Sequence, residues 1–187
     1  MTGEADRQRL LQIARDAIVK HVEGASGAAA PLPESVALQR AGGAFVTIHH
    51  HGELRGCIGH LEANQPLVAV IRECAVAACS ADPRFPPVTP GELTGLEIEL
   101  SLLGPLEPVA APPAGIEVGR DGLLVEQGWQ RGLLLPQVAT ERQWDREMFL
   151  AQTCHKAGLP RDAWKRGAKV WRFEAEVFGE PLHHGGH

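Results

Sequence analysis

The chain predicts an α+β fold in which two related β-hairpin-plus-helix units, an internal duplication, form a mainly antiparallel sheet with flanking helices. Three observations predict it. Thr94 to Leu103 and Val170 to Phe178 alternate apolar and polar residues, the period of a strand with one buried face. Glu4 to Val22 carries Leu10, Ala14, Ala17, Ile18 and His21 at helical spacing. The pattern Gly52-Glu53-Leu54-Arg55-Gly56-Cys57 returns as Gly128-Trp129-Gln130-Arg131-Gly132-Leu133, so glycine, arginine and glycine recur at one offset.

Helix Glu4 to Val22 is ended by Gly24, and Gly24 to Pro33 reads as a loop of small residues and proline. Ala44 to His60 reads as a hairpin with a tight turn at Gly52-Glu53. Such a turn puts Ile48, His50, Arg55 and Cys57 on one face, and His49, His51, Ile58 and His60 on the other. A one-residue slip would exchange these partners. Pro66 is placed as the first residue of a helix to Ser80, which Pro83 stops. After the Thr94 to Leu103 strand, a loop through Pro105, Pro108, Pro112 and Pro113 separates the halves. The second half opens with Ile116 to Val118, a turn at Arg120-Asp121-Gly122 and a strand from Leu123, which predicts a second hairpin. Helices Asp145 to Ala157, capped by Gly158, and Pro160 to Arg166 lead into the last strand. The repeat covers residues 44–80 and 116–158 of a single domain, 1–187.

Composition narrows the function classes. Eighteen basic against 23 acidic residues give a net charge of -5 with no basic run, which argues against nucleic acid as a partner. The longest apolar runs, such as Ala75 to Cys79, fall short of the roughly 18 to 20 residues that span a bilayer, so no membrane segment is expected. The N-terminus begins acidic and polar rather than basic and then apolar, which predicts a cytoplasmic protein. Cys57, Cys74, Cys79 and Cys154 form no CxxC pair and read as reduced thiols. Cys74, Cys79 and Cys154 fall in helical segments where small thiols fill space, whereas Cys57 lies in a glycine-flanked strand.

Cys57 is therefore the candidate chemical centre. Arg55 favours a thiolate, and amides beside Gly56 and Gly59 supply donors for a developing oxyanion. His50 is the first candidate base and His60 the second, if a bulge near Gly59 redirects it. The bland alternative is a small thiol packed in a tight hairpin. Asp82 and Arg84 either bind a polar ligand or fix the proline-rich turn around them. His49, His51 and His60 could supply imidazoles to a metal, but spacing fixes no acidic partner, and neither metal nor cofactor is predicted. The C-terminal His183-His184-Gly185-Gly186-His187 reads as a flexible tail. Glu97 and Glu99 read as a solvated strand face.

Several ordered motifs carry a family resemblance: Leu54-Arg55-Gly56-Cys57-Ile58-Gly59, Asp82-Pro83-Arg84-Phe85-Pro86-Pro87-Val88, Leu133-Leu134-Leu135-Pro136-Gln137-Val138, Trp144-Asp145 with Phe149-Leu150, and Cys154-His155-Lys156-Ala157-Gly158-Leu159. Over almost its whole length the chain resembles the AMMECR-type domain family, which includes the protein A component of the AmmeMemoRadiSam system. The resemblance implies a small accessory lobe and a cleft holding the Cys57 motif. It also implies a genomic or fused association with a Memo-like protein and a radical-SAM protein, although the chain has no CxxxCxxC triplet of its own. The family is best known as uncharacterised and brings no catalytic assignment with it.

Two functions remain open on this reading. One is a cysteine-dependent enzyme or enzyme-complex component acting on a small polar molecule. The other is a non-catalytic module in which Arg55 and Arg84 anchor a peptide, metabolite or protein partner.

Overall fold

The computed structural model describes residues 2–24, 36–61 and 64–181. The expected loop at 24–33 and the histidine tail at 183–187 fall almost wholly outside them. Helices and strands mix in two compact units, one formed by the chain up to Leu103 together with the residues from Glu176 onward, the other by Gly104–Ala175. Every strand pair described is antiparallel. Among the described residues, no helix is long and apolar enough to cross a membrane.

The first unit contains α1 (Glu4–Val22), the short α2 (Val36–Gln39), β1 (Ala44–His50), β2 (Glu53–His60), α3 (Leu67–Ser80), a 3-10 turn at Pro90–Gly95 and β3 (Leu96–Leu103). β1 lies between β2 and β3. Alternate residues Ala44, Val46 and Ile48 of β1 and Leu96, Ile98, Leu100 and Leu102 of β3 bury one sheet face against Leu10, Ile18, Val68, Ile71 and Cys74 of α1 and α3. Helix α3 begins one residue later than expected, because Pro66 stays extended (ψ 139°) while its carbonyl accepts from Ala69 and Val70.

The second unit contains β4 (Glu107–Pro108), β5 (Asp121–Gln127), β6 (Gln130–Leu134), α4 (Pro136–Glu141), α5 (Arg146–Lys156), a 3-10 turn at Ala163–Lys165 and most of β7 (Lys169–Gly179), whose last residues belong to the first unit. β5 pairs with both β6 and β7. Leu123, Val125 and Val170 pack on Phe149, Leu150 and Cys154 of α5, whose N-terminus Asp145 caps by accepting from the Met148 amide at 2.8 Å.

Two expectations are corrected here. Residues 116–118 form no strand, and the second hairpin turns at Gly128-Trp129 instead of Arg120-Asp121-Gly122. Ile116 is buried in the core, and the buried Asp121 carboxylate accepts from the Glu117 amide at 2.8 Å, which closes 117–121 into turns. The helix expected at Pro160 to Arg166 is the single 3-10 turn at Ala163–Lys165, squeezed between Gly158 and Gly167, both at positive φ.

Candidate functional site

Cys57 lies on β2 directly opposite Thr47 of β1, and its sulfur is 3.2 Å from the Thr47 hydroxyl oxygen. Its amide points away from β1 and donates to Asp82 Oδ2 at 3.0 Å. Such a pair lacks direct ladder bonds and brings its side chains close, which explains the sulfur–oxygen contact. Cys57 is partly exposed, while Cys74, Cys79 and Cys154 are buried. Burial pushes the Cys74 thiol up to about 12 and raises those of Cys79 and Cys154.

Asp82 is 4% exposed and gathers the site. Besides the Cys57 amide, it accepts from the Arg84 amide (3.0 Å) and from Arg84 Nε (3.1 Å) and Nη2 (2.8 Å). The Arg84 guanidinium holds the Asp82 carboxyl well below the usual carboxylate range, and its own affinity for the proton rises in return. The Arg84 side chain is half-exposed and within electrostatic reach of Cys57. Asp82 therefore fixes its own turn and holds the Arg84 guanidinium in place.

Arg55 does different work. The register slips between Ile48 and His49, so Gly56 pairs with Ile48 and Leu54 with His49, and Arg55 is left as the extra residue of a β-bulge. Its guanidinium grips Glu92 Oε2 (2.8 Å) and Oε1 (3.1 Å) and the carbonyls of Pro86 (2.8 Å) and Pro87 (3.3 Å). Glu92 also accepts from the Thr89 amide at 3.0 Å, and its carboxyl is held down at about 2, chiefly by Arg55. Arg55 thus fastens the loop that carries Arg84. The flanking glycines also serve packing. A Cβ on Gly56 would collide with the Ala78 carbonyl of α3, and one on Gly59 with the Phe45 ring.

The bulge overturns the expected sharing of faces. Ile48 and His50 lie opposite to Cys57, because Thr47, three residues from His50 on a regular strand, is the residue that meets the sulfur. The His50 and His51 rings meet at a tilt of 57° with centroids 4.2 Å apart, beside Gly95. His60 is half-exposed, with Nε2 3.8 Å from Glu73 on α3. Neither candidate base shares the cysteine's face. His49 does, two residues beyond Thr47, and its Nδ1 is buried with no hydrogen-bond partner. His49, His51 and His60 do not converge, and among the described residues no three His, Cys, Asp or Glu side chains are grouped to hold a metal ion.

Sequence reasoning missed Thr47, which is 8% exposed, and set aside Glu97 and Glu99 as solvated. Glu97 is 2% exposed and accepts from the Gly52 amide at 3.3 Å. It stands opposite His49, and Glu99 opposite Thr47. Alternation along β3 carried that signal, but reading it required the register. Glu92 was legible through its spacing from Thr89, the pattern of a capping pair.

The comparisons with known proteins agree with this fold. The chain is 49% identical over 179 residues to a protein of Methanothermobacter thermautotrophicus, covering 91% of this chain and 92% of the relative. It is 47% identical to Protein TK0174 of Thermococcus kodakarensis, covering 91% and 88%. The crystal structure of uncharacterized protein PH0010 from Pyrococcus horikoshii superposes with a TM-score of 0.86 at 42% identity, over 95% of this chain and 93% of that one. A single family model spans residues 11–178, from the first turns of α1 to the end of β7, and the chain belongs to the AMMECR1 family.

Proposed function

We propose that Cys57 is the centre of a thiol site that takes a small polar molecule, with Arg84 as its anion-binding group. The observation that supports this most is the double role of Asp82, which holds the Cys57 amide and the Arg84 guanidinium at once. A cation held beside a partly exposed thiol favours the thiolate and pairs with a carboxylate or phosphate of the bound molecule. Because the Cys57 amide is engaged by Asp82, a developing negative charge in this site is met by Arg84 and not by that amide. Arg55, Gly56 and Gly59 serve as the frame of the site, through the Glu92 grip and the close packing of α3 and Phe45. A Memo-like or radical-SAM protein is the proposed supplier or acceptor of the molecule, in the cytoplasm.

The test is alkylation of each cysteine against pH in the native protein, read by peptide mass spectrometry. Cys57 is expected to label at least about tenfold faster than the three buried thiols and to keep labelling below the reference thiol value of about 8.5. Arg84→Ala should remove the low-pH part of that labelling. Equal rates at all four cysteines, or a Cys57 profile indifferent to Arg84→Ala, would sink the proposal. A reactive Cys57 whose replacement by serine leaves partner and anion binding intact, with no turnover to lose, would shift the reading to a docking module.

A further inference from the structure

We propose that His49 is the proton acceptor of this site, acting on Cys57 through the Thr47 hydroxyl; the inference rests on the thiol-site reading above. Thr47 touches the sulfur at 3.2 Å, and His49 is the next residue on the same face of β1. A two-residue step along a strand is roughly 6.8 Å, a span that a hydroxyl and one water cover. The His49 Nδ1 atom is buried and without a hydrogen-bond partner, and the buried Glu97 stands opposite His49 on β3. A buried ring nitrogen with no partner is a cost to the fold that a proton-carrying role accounts for. On the same face, Ser101 Oγ is likewise buried without a partner, so the polar character of this surface extends along β3.

The step balances without an outside reagent. The Cys57 S–H bond breaks with its electron pair left on sulfur; the proton passes to the Thr47 oxygen as the Thr47 proton moves to a bridging water, which in turn gives a proton to the imidazole nitrogen. The products are a thiolate and an imidazolium. The charged groups facing this pair are Arg84 and Asp82 from the loop and Glu97 and Glu99 from β3. Arg84 is the cation beside the thiolate, and Glu97 is the carboxylate across the ladder from His49.

The experiment follows Cys57 alkylation by iodoacetamide from pH 5.5 to 9.5 in the wild-type chain and in His49→Gln, His50→Gln, His60→Gln, Thr47→Val and Thr47→Ser. His49→Gln should slow labelling at pH 6.5 by about tenfold, the effect of one unit on the thiolate fraction, while His50→Gln and His60→Gln stay within about twofold of wild type. Thr47→Val should match His49→Gln, and Thr47→Ser, which keeps the hydroxyl, should match wild type. The valine–serine contrast reads the hydroxyl, and a Thr47→Val, His49→Gln double variant no slower than either single variant reads the link between the two residues. A His49→Gln profile superimposed on wild type, or the same loss in His50→Gln, overturns the assignment of His49 while leaving the reactive thiol standing. An unreactive Cys57 in the wild-type chain overturns both.

Discussion

The hairpins β1–β2 and β5–β6 share a turn length and a glycine position and differ at two others. Each closes with a two-residue turn, His51-Gly52 at φ 51° and 83° in the first and Gly128-Trp129 with Gly128 at φ 62° in the second. Counting outward from the turn, the third cross-strand pair contains glycine in both, Ile48 with Gly56 and Val125 with Gly132. That glycine lets a helix backbone lie on the strand: Ala78 of α3 over Gly56, and Ala157 at the end of α5 over Gly132. The arginine before it differs. Arg131 sits in the ladder opposite Glu126, 39% exposed and 3.8 Å from that carboxylate, whereas Arg55 is bulged out of the ladder and grips a distant loop. The fourth pair differs again, Thr47 with Cys57 against Leu124 with Leu133. The glycine therefore belongs to the architecture, the bulge redirects the arginine, and the fourth pair distinguishes a polar site from an apolar contact.

Each unit also buries one aspartate that holds a backbone amide and a half-exposed arginine. Asp82 does so for Cys57 and Arg84, Asp121 for Glu117 and Arg120. Asp121 lines a cavity of about 190 Å³ with Arg120, Arg172, Glu107 and Glu174; Arg120 pairs with Glu117 and Glu174 as well as Asp121, and Arg172 with Glu107. There the charges satisfy one another. In the first unit the same device stands beside a thiol.

The largest effect should come from the shared glycine. Gly56→Ala and Gly132→Ala each force a methyl group into helix backbone, and each should lower the stability of its unit by about 3 kcal/mol in urea unfolding. If only one of the two is destabilised, the equivalence of the hairpins breaks.

The arginines should separate next. Arg55→Met removes four hydrogen bonds from a guanidinium that is 14% exposed and leaves Glu92 unpaired, a loss of about 2 kcal/mol. Arg131→Met removes a long, exposed pair and should cost under about 0.5 kcal/mol. Acid titration sharpens the contrast. The Glu92 carboxyl lies lower in the folded protein, at about 2, than its ordinary value of 4.5, so its contribution is complete above that ordinary value and fades as pH falls toward 2. Arg55→Met should flatten the fall in stability between pH 5 and 2; an unchanged acid slope would show that the pair contributes nothing to folding.

Much of this was legible from sequence because it is periodic. Helix α1 has the expected bounds, and the strand pattern of Thr94 to Leu103 and Val170 to Phe178 locates β3 and β7 to within two residues. The motif residues Cys57, Asp82 and Arg84 were also legible, since glycine, proline and unpaired charge punctuate a sequence locally. The faces were not. A single bulged residue inverts the side on which His50 falls relative to Cys57, and nothing in Leu54-Arg55-Gly56 announces a bulge until the loop that Arg55 grips is folded against it. For the same reason His49, Thr47 and Glu97 entered the site only with the structure: their membership depends on which residue stands across the ladder, a non-local fact.

The smallest contrast between differing positions of the two hairpins should occur at the fourth pair, and it is the most discriminating. Leu133, half-buried like Cys57, lies against the buried Leu124, and Leu133→Ala should cost about 2 kcal/mol. Cys57→Ala removes a partly exposed thiol and one weak sulfur–oxygen contact, so its cost should be within about 1 kcal/mol. Thermal unfolding of the two variants in parallel reads the difference directly. A Cys57→Ala cost as large as that of Leu133→Ala would make the thiol a packing residue like its counterpart, and the polar fourth pair would then be a variation of the core. A small cost, with Cys57 labelling fast in the wild-type chain, means that folding does not require a thiol at that position, so the reason for its presence lies in what it does to a molecule bound beside Arg84.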